Sequence, residues 1–154
     1  AIGNYAHEKY NMIIDFEIST SNVDKEFVFY EDLAKRVEVF QQRKDYWFGT
    51  LYLTRFAKFT EKAENFPNAT FIVGFDTFQR IANPDYYDNM EKELESFPYY
   101  GTKWLVFPRY NKNGKITSKK DFKGIPKILM DDATIEWGFD PVNISSTDIR
   151  NKSK

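Results

Sequence analysis

The sequence predicts an α/β fold, a parallel sheet with helices on both of its faces. Three observations carry this reading. Segments with helical spacing of apolar residues alternate with short apolar runs along the chain. The stretches between successive runs are long enough to hold the crossover helix that parallel strands require. The composition supplies a core: 42% of the 154 residues are apolar and 18% aromatic, with 15 Phe and 10 Tyr, which is enough for one domain and far from a disordered composition.

The elements follow in order. Ile2, Tyr5, Ala6 and Tyr10 recur near the helical period, so the chain opens on a helix, and residues 12–19, MIIDFEIS, read as a strand. YEDLAKRVEVFQQ places Leu33, Val37 and Phe40 on one helix face. Residues 50–54 form a short apolar strand and residues 60–66 a brief helix. In ATFIVGFDTFQRI the buried-type run Phe71, Ile72, Val73 breaks at Gly74 and passes into a helical pattern, a strand-to-helix turn. MEKELESF predicts a single helix, residues 103–108 a strand, and residues 133–139, ATIEWGF, the last strand. Between these two strands, residues 109–127 hold Gly114, Gly124, Pro126 and six lysines, the composition of a solvated loop.

Charge and residue usage exclude several classes of function. Lys and Arg number 22 against 23 Asp and Glu, so no global field recruits nucleic acid or an anionic membrane, and any anion site must be local. Cysteine is absent and histidine occurs once, at His7, which removes disulfides, thiolate metal sites and histidine-rich metal centres. No apolar run approaches the roughly 20 residues of a membrane span, and no leader pattern opens the chain. The expectation is a soluble, cytoplasmic protein.

Ligands of parallel α/β sheets bind beyond the carboxyl ends of the strands, which directs attention to the residues after each run. Two stretches stand out. Ser145, Ser146, Thr147 and Asp148 match a capping box, and the plain reading is helix initiation. One hydroxyl would supply that cap, worth about 1 kcal/mol. Three hydroxyls followed by Arg150 one turn later supply what a polyphosphate needs: backbone N–H groups, hydroxyl donors and a guanidinium fork. In VGFDTF, Gly74 allows backbone to approach a ligand closely, and Asp76 can accept hydrogen bonds from a ribose diol. The competing reading there is a turn glycine followed by an Asp helix cap.

These residues carry a resemblance. ISSTDIR resembles the ISSTxIR motif of the nucleotidyltransferase superfamily that includes the nicotinamide and nicotinate mononucleotide adenylyltransferases. FIVGFDTFQRI is similar to that group's strand followed by G-x-D. FEIS, NVDK, LTRFAKFTEKAENFP, VGFDTFQRIANPDYY and WLVFPR resemble a cytidylyltransferase-like branch, so the similarity spans nearly the whole chain. The resemblance implies a Rossmann-like fold in which ATP, with Mg2+, lies across the strand ends. A mononucleotide phosphate attacks its α-phosphate and pyrophosphate leaves. Ser145, Ser146, Thr147 and Arg150 would hold the triphosphate, with Arg150 the catalytic residue, while Gly74 and Asp76 border the adenosine. No protein metal ligand and no tightly bound cofactor are implied; the partners are a nucleotide and a small phosphate-bearing substrate, and a homo-oligomer is compatible with both.

One departure from the family pattern is plain. The H-x-G-H motif that the family carries after its first, central strand is absent, since His7 belongs to AHEKY, which matches the helix after that motif. The expectation is a single domain over residues 1–154 that is N-terminally incomplete and lacks its first central strand. The alternative functions are a catalytically inactive nucleotide-binding protein of the same fold and an interaction module whose basic residues 112–127 meet an acidic partner.

Overall fold

A computed structural model describes residues 2–20, 30–43, 45–108, 122–137 and 139. The chain forms two compact units, residues 1–58 and residues 59–154.

The first unit opens on α1 (Ile2–Tyr10). Its end is set by Asn11, whose φ of 55° is the left-handed conformation that terminates helices, and whose N–H bonds the His7 carbonyl at 2.8 Å. The His7 Nδ1 lies 2.6 Å from the Met12 carbonyl oxygen, an acceptor only, so this nitrogen donates and the exit of the helix is pinned from a second side. Strand β1 (Ile14–Ser19), helix α2 (Tyr30–Gln41) and strand β2 (Phe48–Thr54) follow, and β1 and β2 pair in parallel. The register sets Phe16 beside Leu51 and Ile18 beside Leu53 on one face, and Glu17 beside Tyr52 on the other. The apolar side of this pair gathers rings: Phe16 lies 5.0 Å from Phe40 of α2, 5.0 Å from Phe48 and 6.2 Å from Trp47, centroid to centroid. The register slips between Ile14 and Phe16, where β2 carries an extra residue. Asp15 compensates, its Oδ1 accepting the Thr50 N–H at 2.8 Å that the irregular ladder would otherwise leave unpaired.

The second unit holds α3 (Phe59–Asn65), β3 (Thr70–Gly74), α4 (Phe75–Ile81), a 3-10 turn (Pro84–Tyr86), α5 (Met90–Leu94), α6 (Ser96–Tyr99), β4 (Lys103–Phe107), α7 (Lys127–Met130) and β5 (Ala133–Ile135). Its sheet has the order β3-β4-β5, parallel throughout and in regular register. Trp104 and Val106 of β4 share one face with Phe71 and Val73 of β3 and Ala133 and Ile135 of β5. That face packs against Ala63, Phe78, Leu94, Phe97, Phe122 and Leu129. Trp104 is the hub, its ring 5.0–5.9 Å from those of Phe59, Phe71, Phe78 and Phe97. Leu105 and Phe107 on the opposite face are buried as well, so the central strand is covered on both sides, which is why WLVF is an unbroken apolar run rather than an alternating one.

The α/β class and the parallel pairing expected from the sequence are present, in two sheets. Three element predictions need correction. MEKELESF is not one helix: α5 stops at Leu94 and α6 starts at Ser96. Pro98 explains the break, because its ring and missing N–H are incompatible with a continuous helix whose carbonyl four residues back belongs to Leu94. The last strand ends at Ile135 rather than Phe139, because the Trp137 N–H turns back to the Ile135 carbonyl (3.1 Å) and the Phe139 N–H to that of Glu136 (3.3 Å). The end of the predicted basic loop is core and helix: Phe122 is buried against Phe75 and Trp137, and α7 begins at Lys127. Residues 109–121 of that loop lie outside the described residues.

Among the described residues no helix is long and apolar enough to cross a membrane.

Candidate functional site

In a parallel sheet all strands end on the same side, and in the second unit that end is formed by Gly74 of β3, Phe107 of β4 and the residue after β5, Glu136. The register pairs Gly74 with Phe107, and the Glu136 N–H extends the ladder by bonding the Val106 carbonyl at 2.9 Å. The three positions therefore form the last row across the sheet. With strands about 4.8 Å apart, Gly74 and Glu136 stand roughly 10 Å from each other.

Gly74 is both the last residue of β3 and the N-cap of α4, so strand passes into helix with no intervening loop. Its backbone is extended, φ −77° and ψ 166°, a conformation open to any L-residue. A Cβ built at Gly74 meets nothing within 4 Å among the described residues. Neither its conformation nor its packing against those residues therefore calls for glycine here. The next residue, Phe75, turns inward and packs its ring at a tilt against that of Phe122, 4.6 Å between centroids, which fixes the direction in which α4 leaves the sheet. Asp76 follows in the first turn of α4, where a carboxylate is favoured by the helix dipole by about 0.3–1 kcal/mol. Asp76 is not the helix cap: the cap is Gly74, and no side chain bonds the cap position. The cap half of the competing structural reading of Gly74 and Asp76 is thereby removed, and Asp76 keeps an interaction of its own within the chain.

Ser145, Ser146, Thr147 and Arg150 lie outside the described residues. Of the residues singled out from the sequence, the structure thus places Gly74 and Asp76 side by side at the carboxyl end of β3.

Sequence reasoning passed over Glu136. It is 1% exposed, has a partner within the chain, and sits beside Phe107 and Phe139, whose rings meet edge to face at 5.0 Å. Its signal was available in ATIEWGF, where one carboxylate interrupts the run predicted as the last strand.

The first unit has its own strand ends, and there the hydroxyls are engaged. The Thr54 Oγ1 donates to Glu17 Oε1 at 2.7 Å and accepts the Phe56 N–H at 3.2 Å. Thr20 Oγ1 donates to the Thr54 carbonyl and Ser19 Oγ to that of Phe56, each at 2.9 Å. These bonds tie the ends of β1 and β2 together and account for the hydroxyl residues structurally.

No group of three or more His, Asp or Glu side chains capable of holding a metal is found among the described residues. Comparison with known proteins finds no matching family model, no matching curated protein and no matching solved structure.

Proposed function

We propose that this chain is a nucleotidyltransferase of Rossmann-like fold that transfers the adenylyl group of ATP to a mononucleotide such as nicotinamide or nicotinate mononucleotide, in the cytoplasm. The observation that carries the reading is Gly74. A glycine that neither its backbone angles nor its described neighbours require, at the carboxyl end of a parallel strand and two residues before a carboxylate, suits a position where a nucleoside approaches the backbone. In this reading Asp76 accepts from the ribose hydroxyls. Ser145, Ser146, Thr147 and Arg150 take the triphosphate, and Mg2+ arrives with ATP rather than on protein ligands. The acceptor phosphate oxygen forms a bond to the α-phosphorus while the bond to the β-phosphate bridge breaks and pyrophosphate leaves. The chain contributes alignment and charge stabilisation, with Arg150 meeting the negative charge on the transferring group.

The second reading is a nucleotide-binding protein of the same fold without transferase activity; His7 itself closes α1 through the Met12 carbonyl. Incubation with ATP, Mg2+ and either mononucleotide separates the two. Release of pyrophosphate with formation of a dinucleotide is the expected outcome; ATP binding without either product supports the second reading, and absence of ATP binding removes both.

A further inference from the structure

We draw no further inference here: the strongest candidate, the Glu136 carboxylate buried beside Phe107 and Phe139 at the carboxyl end of the three-stranded sheet, is held by a partner within the chain and is closed off from solvent, so nothing in the structure gives a ligand a surface on which to meet it.

Discussion

Gly49 and Gly74 are both strand glycines, and they answer to different demands. A Cβ at Gly49 would collide with Asp15 Oδ1, the atom that repairs the irregular ladder between β1 and β2, whereas a Cβ at Gly74 would meet nothing among the described residues. Gly49→Ala should therefore cost about 1–3 kcal/mol of stability in urea unfolding, the usual range for overpacking a tight site. Gly74→Ala should stay within about 0.5 kcal/mol of the parent, as unconstrained exposed positions do, while weakening ATP binding. Asp76→Ala should weaken ATP by about 1.5–3 kcal/mol, the worth of a hydrogen bond to a charged group, and pyrophosphate by less. Equal losses for the two ligands in calorimetry would contradict its placement at the ribose. Tyr87 offers a test of packing. Its hydroxyl donates to the Ile81 carbonyl at 2.5 Å, and burial, with a smaller contribution from Glu93, holds its pKa well above the ordinary 10.0. The folded state thus favours the neutral phenol, so its contribution is complete below pH 10 and is lost as pH rises through the higher folded value. Alkaline unfolding of Tyr87→Phe should be flatter above pH 10 than that of the parent, and superimposable curves would show that the phenol is not shielded in this way.

At the scale of elements, what the sequence reveals depends on how local the cause is. The openings of α1 and α2 follow from periodicity and β4 from a continuous apolar run, and all three match the predicted spans closely. The transition at Gly74 was legible because an apolar β-type run and a helical pattern meet there without a gap. The division of α5 from α6 was hidden because the helical spacing continues across it and only Pro98, three residues into the second piece, forbids continuity. Helix α7 is four residues long, too short to show a period, and it follows a lysine-rich stretch that reads as loop. Glu136 escaped notice because a single charged residue carries no periodic signal; its burial comes from tertiary packing. The start of α5 carries a reciprocal cap: Asn89 Oδ1 accepts the Lys92 N–H at 3.3 Å and Glu93 Oε2 accepts the Asn89 N–H at 2.8 Å. Asn89→Ala should cost about 1 kcal/mol, measured by chemical unfolding. Just before β4, the Thr102 hydroxyl is buried with no hydrogen-bond partner among the described residues, so Thr102→Val should be neutral or stabilising, and a loss of more than about 1 kcal/mol would show that the hydroxyl is bonded after all.

For the whole molecule, the parallel α/β architecture follows from helices alternating with strands, and both units keep to it, with the strand orders β1-β2 and β3-β4-β5. The candidate site is legible in two parts that rest on different grounds. Gly74 and Asp76 stand together at a strand end, while Ser145, Ser146, Thr147 and Arg150 enter through the resemblance of ISSTDIR to a phosphate-binding motif. The central claim, that one nucleotide engages both parts, is tested most directly by ATP-dependent stabilisation of the parent chain and of Arg150→Lys. Lysine keeps the charge but loses the fork that grips two phosphate oxygens. ATP with Mg2+ at 100 times its dissociation constant should raise the parent's stability by about 2.7 kcal/mol. In Arg150→Lys the same ATP concentration should give a clearly smaller rise, with the ligand-free stability unchanged. Equal stabilisation of the two proteins, or none in the parent, would contradict the account.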